Sequence, residues 1–180
     1  MKPIIAPEKD QPKSFKFAKA NEKKIKEIIA RYPAGRQKSA IMPLLDLAQR
    51  QMAETEKKCG GWIPTAAMDE IANILDVPPM KVYEVATFYS MFQTREVGRN
   101  EVAICTNVSC MLRGADDIVE HVENKLGIKL GDSTEDGKIF LKTEEECIAA
   151  CCGAPAMMVN HKYYENLTKE QVDEILDGLD

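Results

Sequence analysis

Residues 101–115, EVAICTNVSCMLRGA, mark where the chain changes its period, and their reading decides the fold. Glu101–Cys105 reads as a short strand, after which Cys105 and Cys110 stand at C-x4-C spacing ahead of a helix. That helix is predicted from about Gly114 to Leu126, with Ile118, Val122 and Leu126 facing inward and Gly127 at the C′ position. Further on, Lys138–Leu141 and Ala156–Val159 read as strands and Tyr163-Tyr164 as a short edge piece. Thr168-Lys169-Glu170-Gln171 matches a capping box and opens a last helix whose buried stripe is Val172, Ile175, Leu176 and Leu179. The order β-α-β-β-α is that of a small α/β layer domain.

Upstream of Gly98, from Phe15 to Phe92, the period is helical. Ile25, Ile28 and Ile29 form one stripe that stops at Tyr32-Pro33; Ile41, Leu44, Leu45 and Ala48 form a second, with Pro43 in its first turn or at a kink. The stretch MAETEKKCGG after it reads as a frayed helix end and a loop. A third helix is expected to use Thr65 as N-cap, with Asp69 and Glu70 near its positive end and Met68, Ile71, Ile74 and Leu75 on the core face. Pro78-Pro79 opens a fourth, on which Val82, Val85, Phe88, Tyr89 and Phe92 line one broad face that reads as bundle core in preference to an interface. Four helices with short connections predict a small bundle. Residues 1–14, with three prolines, read as a flexible arm. The expected organisation is therefore α+β in two parts: an arm over 1–14, a helical bundle over 15–96 and an α/β domain over 97–180.

The chain has 180 residues, 44% hydrophobic and 29% charged, which excludes a disordered chain and allows a real core. No apolar run approaches the ~20 residues of a spanning helix, so no direct membrane insertion is expected. MKPIIAPEKDQPKSF resembles neither a signal nor a transit peptide. The net charge of −5 argues against a nucleic-acid partner, and it hides an asymmetry. Residues 1–95 hold 16 Lys/Arg against 11 Asp/Glu, a net of +5; residues 96–180 hold 8 against 18, a net of −10.

The six cysteines, at 59, 105, 110, 147, 151 and 152, suit a reducing compartment rather than a secreted disulfide framework. Cys105 and Cys110 form one close pair; Cys147 and Cys151, at C-x3-C, form another. Both pairs fall on loops at strand ends, which a layered domain can bring to one edge. Four thiolates there are soft ligands that suit an iron–sulfur cluster or zinc. Structural zinc sites favour C-x2-C, which neither pair has. Thioredoxin-type C-x-x-C and ferredoxin-type C-x4-C-x2-C are also absent, and His121 and His161 are placed unlike Rieske ligands. Neither G-x-G-x-x-G nor G-x-x-x-x-G-K-[ST] occurs, so the chain carries no dinucleotide or phosphate fingerprint. Cys59 and the basic run Lys23-Lys24-Ile25-Lys26 read as structural or solvated features. Glu144-Glu145-Glu146, just ahead of Cys147, reads as solvated or as a device that lowers the potential of a bound centre.

VPPMKVYEVATFYSMF, CTNVSCMLRGA, ECIAACCGAPAMMVN and YYENLT together resemble the family of small 2Fe–2S subunits of NADH–quinone oxidoreductases (respiratory complex I), over residues ~15–180. The resemblance implies a thioredoxin-like ferredoxin domain after the helical bundle and one 2Fe–2S cluster on Cys105, Cys110, Cys147 and Cys151. It implies that FMN and NADH are held by a partner, the flavoprotein subunit, alongside other peripheral-arm subunits. The expected setting is bacterial, on the cytoplasmic side of the inner membrane and peripheral to it. Related subunits of NAD-dependent hydrogenases and formate dehydrogenases share the module, and a zinc-stabilised interaction module is the rival of another class. Two features depart from the family pattern: the longer loop around Thr55–Gly61, and Cys152 directly after Cys151, a thiol that either replaces it as ligand or packs inward. A cluster in the acidic half is expected to have a low reduction potential, opposed by backbone N–H groups of the Thr106–Ser109 and Ile148–Ala150 loops and of Leu112–Ala115.

Overall fold

A computed structural model describes residues 5–55, 59–143 and 147–180. Within them the chain forms two compact units, one built from residues up to 96 and one from 97 onward together with Cys59 and Gly60. No helix among the described residues is long and apolar enough to cross a membrane.

The first unit is helical: α1 (Lys19–Ala30), α2 (Ile41–Thr55), α3 (Thr65–Leu75) and α4 (Pro79–Phe88). Its core follows the apolar stripes, with Leu44, Leu45, Ala48, Trp62, Ile63, Ile71 and Val82 almost fully buried. Glutamines tie its helix ends. Gln51 on α2 accepts from the Ala18 N–H and the Asn21 side chain and donates to the Lys16 carbonyl, so it closes the start of α1, whose own N-cap residue, Ala18, has no capping side chain.

The start of α3 differs from expectation in a similar way. Thr65 is the first helical residue after Pro64, not the cap; Gln11 Oε1 accepts from its N–H at 3.0 Å and from its hydroxyl at 3.2 Å. Asp69 and Glu70 lie beyond the first turn, and Glu70 pairs with Lys16 at 2.6 Å. The segment before α1 is laid down by the Gln11 contacts and by the Ala6 N–H, which donates to Thr94.

The face expected on α4 is also corrected. Val82, Ala86 and Phe92 are buried, but Phe88 is 79% exposed and Tyr89 stands at 37%. At 100° per residue Phe88 lies far round the helix from Val82. The helix stops at Phe88, Tyr89 is extended, and Phe92 reaches the core through a turn.

The second unit carries β1 (Asn100–Ile104), α5 (Val108–Leu112), α6 (Ala115–Leu126), β2 (Asp132–Ser133), β3 (Ile139–Lys142), β4 (Met157–Val159), β5 (Lys162–Tyr164) and α7 (Lys169–Asp177). The sheet order is β2-β3-β1-β4-β5, with β1 parallel to β3 and all other neighbours antiparallel. Val102, Ile104, Ile139, Leu141, Met157 and Val159 share one core with Ile118 and Val122 of α6 and Val172 and Leu176 of α7. The capping box at Thr168 and Gln171 is formed, and Gly114 and Gly127 bracket α6 at positive φ. The two features the sequence did not announce are α5 and the two-residue β2.

Between α6 and α7, His121 lies 2.8 Å from Asp173, and Lys125 reaches Asp173 at 3.3 Å and Asp177 at 2.9 Å. The hydrogen bond from His121, backed by that from Lys125, holds the Asp173 carboxyl below its ordinary value of 3.8. A depressed carboxyl stabilises the fold above its unfolded pKa and loses that contribution as pH falls through the lower folded value. Asp173→Asn is therefore expected to lower the thermal midpoint slightly at pH 7, and the gap from the parent to close as the pH is taken below 3.8, followed by circular dichroism.

Candidate metal centre

The strand directions gather the cysteines. β1 and β3 are parallel, so the segments that leave them emerge at the same sheet edge, and antiparallel β4 begins at that edge. Cys105 directly follows β1. Cys147 comes after β3, and Cys151 and Cys152 stand in a 3-10 turn, Cys151–Gly153, ahead of β4. Cys105, Cys110, Ile148, Ala150, Ala154 and Ala156 consequently pack as one small buried cluster joined by Ala115, with Met158 against it. Both cysteine-bearing loops contribute to it.

Within this cluster the thiols fall into two unlike pairs. Cys105 and Cys110 are each 1% exposed. Burial, with a hydrogen-bond contact to the Cys105 thiol, pushes Cys110 up to about 11; the Cys105 and Cys147 sulfurs add to the shift electrostatically, and an N–H of Ala156 opposes it. Cys147 and Cys151 are exposed, with their sulfurs 3.3 Å apart. Among the described residues no three His, Cys, Asp or Glu side chains converge as ligands of a single ion.

Backbone donors point at both pairs. Ala149 takes the left-handed conformation, φ 64°, and its N–H donates to Cys147 Sγ at 3.3 Å. Ala156 accepts from the Cys105 N–H at 3.1 Å and turns its own N–H to Cys110. The Ile148–Ala150 loop was expected to supply such a donor; Ala156 was not, because a backbone donor leaves no mark in residue type. Asn107 caps the N-terminus of α5 and so helps set the position of Cys110 on that helix.

Other sequence candidates fall elsewhere. Cys152 is exposed, which removes the alternative that it packs inward. Cys59 is half-buried. His121 serves the helix pair described above, and exposed His161 stands at positive φ in the β4–β5 turn. Glu144-Glu145-Glu146 lies outside the described residues.

In the cluster-free chain the unlike exposure has a chemical signature. At pH 8 iodoacetamide is expected to label Cys147, Cys151 and Cys152, while Cys105 and Cys110 stay unlabelled until denaturant is added, as read by peptide mass spectrometry.

A layered α/β unit with paired thiols at one sheet edge is the architecture of a thioredoxin-like iron–sulfur protein, and the chain belongs to the thioredoxin-like 2Fe–2S ferredoxin family, whose sequence model matches residues 25–180. Within that family it is similar to the NADH-quinone oxidoreductase E subunit of Rickettsia felis, 47% identical over 91% of this chain and 93% of the relative. The protein of the same name in Rickettsia conorii is 46% identical over 92% of this chain and 95% of its own. NADH dehydrogenase [ubiquinone] flavoprotein 2, mitochondrial, from Dictyostelium discoideum is 44% identical over 92% of this chain and 64% of its own. A solved NAD+-reducing NiFe-hydrogenase in the H2-reduced state shares the fold, with TM-score 0.61 and 21% identity over 74% of this chain and 22% of that one.

Proposed function

We propose that this chain is the iron–sulfur electron-transfer subunit of an NADH–quinone oxidoreductase, and that Cys105, Cys110, Cys147 and Cys151 hold its one 2Fe–2S cluster. The observation that carries the ligand set is the small buried cluster that joins the two cysteine loops. The donor set fits a two-iron centre. Such a cluster takes four thiolates, two on each iron, and the thiols here stand as two pairs.

When bound, the cluster supplies a one-electron redox centre. The chain's own contribution is to hold it and to set its potential. The Ala149 and Ala156 N–H groups stabilise negative sulfur and raise the potential, while the −10 of residues 96–180 lowers it. The raised Cys110 thiol must release its proton on loading, so cluster insertion is coupled to proton release.

FMN and NADH belong to the partner, the flavoprotein subunit, and this chain docks against it as part of the peripheral arm, on the cytoplasmic side of the inner membrane in a bacterial cell. Identities of 44–47% with relatives named as NADH-quinone oxidoreductase and NADH dehydrogenase subunits favour this assembly over a hydrogenase, to which the likeness is one of fold alone. Electron paramagnetic resonance of the dithionite-reduced chain tests the reading. A rhombic or near-axial signal of one spin per chain is expected from a red-brown protein; a colourless protein with stoichiometric zinc overturns it. A midpoint near or above about 0 mV would contradict the low potential expected for an all-thiolate cluster in an acidic unit.

A further inference from the structure

The sheet of the second unit has two faces. Val102 and Ile104, Ile139 and Leu141, and Met157 and Val159 alternate into the main core. Glu101, Ala103, Phe140, Lys142 and Met158 therefore stand on the other face. There Lys142 is 6% exposed, the one buried charged residue among those described. Its Nζ lies 3.5 Å from Glu101 Oε1. Taking an ammonium out of water is costly, and replacing a buried ion pair by apolar side chains of similar volume is often neutral or stabilising. Fold stability alone therefore gives little reason for a cation at this position.

We propose that Lys142 sets the potential of the cysteine site: its buried ammonium, paired with Glu101, stabilises the reduced state of the bound cluster. The inference rests on the function proposed above and adds to it a residue that is not a ligand. The strand register carries it. Lys142 is the partner of Ala103 on β1, and Ala103 is the partner of Met158 on β4, so the three form one row across this face. Met158 packs against the small buried cluster that contains Cys105 and Cys110. Cys105 lies two residues beyond Ala103, which puts it roughly 8 Å from Lys142, Cα to Cα. Glu101 is the partner of Phe140, two residues farther from the cysteine edge. The ion pair is thus a dipole along the sheet whose cationic residue stands nearer the cysteines.

Reduction adds one negative charge to a centre that four thiolates already make negative. A fixed cation at this range favours the added charge. Burial decides how much it counts. Among the described residues the acidic excess of residues 96–180 is carried mostly by exposed side chains, and salt screens such charges beyond roughly 8–10 Å. Lys142 is withdrawn from solvent, so its field is screened far less. One buried cation therefore offsets a disproportionate part of the acidic surface.

The test is a redox titration of the full, cluster-loaded chain, followed by visible absorption and paramagnetic resonance. Lys142→Met removes the charge and keeps an unbranched apolar stem. It is expected to shift the reduced-to-oxidised ratio at a fixed poise roughly tenfold toward oxidised, a midpoint lower by ~59 mV. Glu101→Gln is expected to move the midpoint the opposite way and by less, because that carboxylate is farther off and partly exposed. Opposite signs separate a field effect from a structural one, since both substitutions break the same ion pair. Lys142→Arg is expected to stay near the parent, and the gap opened by Lys142→Met to persist at high salt. Midpoints that both remain at the parent's value, or that both move the same way, overturn the role of Lys142 and leave the proposed function standing. If Lys142→Met does not fold, Glu101→Gln decides alone: a raised midpoint supports that role, and an unchanged or lowered one overturns it. A parent chain that shows no 2Fe–2S signal overturns both readings.

Discussion

Cys110→Ala in the full chain is expected to abolish the visible absorption and the paramagnetic signal together, while the far-ultraviolet spectrum stays close to the parent's. The fold survives because the main core of this unit, from Val102 to Leu176, contains no cysteine. Removing one buried sulfur costs roughly 1 kcal/mol of packing, against a stability of several kcal/mol. On the proposed ligand set the centre does not survive, because losing one of four thiolates would open an iron to water. Cys105→Ala, Cys147→Ala and Cys151→Ala are expected to behave alike, and Cys152→Ala and Cys59→Ala to keep the signal. The Cys151/Cys152 comparison is the discriminating arm. Cys151 Sγ stands 3.3 Å from Cys147 Sγ, and among the described residues no such contact joins Cys152 to the pair. A signal lost in Cys152→Ala but kept in Cys151→Ala would reassign the ligand.

Most of what fixes the architecture is local, and the sequence displays it. The stripes on α2 and α6, the glycine that ends α6 and the capping box of α7 depend on residues within a few positions of one another. What the sequence hides is of two kinds. Elements shorter than their own period leave no pattern: α5 has five residues and β2 two, too few for a stripe to repeat. Long-range side-chain contacts leave none either. Gln11 reaches across 54 positions to Thr65, so a local capping rule assigns that cap to the wrong residue.

The fourth helix shows a third limit. Its aromatic residues look like a core face when the period is run past Phe88, and the helix ends there. At the candidate metal centre the residue types and spacings are legible, since cysteine pairs at strand ends are chemically marked. The inequality of the pairs is not, because burial of Cys105 and Cys110 and exposure of Cys147 and Cys151 depend on contacts between segments far apart in the chain, which residue type and spacing do not mark.

The largest stability effect in the second unit is expected from a residue with no side chain. Gly98 leads into β1 against the backbone of β3, and a Cβ built on it falls 2.6 Å from both the Ile139 carbonyl oxygen and the Phe140 nitrogen. Real Cβ atoms do not approach so closely, and backbone already paired in a sheet cannot swing aside as a side-chain tip can. The strands themselves must part at the Asn100–Ile139 end of their parallel ladder.

Gly98→Ala is therefore expected to cost about 3 kcal/mol, the upper end of the overpacking range, and to lower the midpoint of this unit by roughly 10 °C or more. Gly127→Ala is the useful contrast. Its Cβ meets nothing within 4 Å, and only its φ of 66° opposes it, which costs roughly 1 kcal/mol. If the two variants lose equal stability by thermal or urea unfolding, close approach of β1 and β3 is not what Gly98 provides. Should Gly98→Ala fold with the strands displaced, the loss should also reach the metal centre. The parallel ladder that Gly98 permits is the one that brings the segments bearing Cys105 and Cys147 to a common edge.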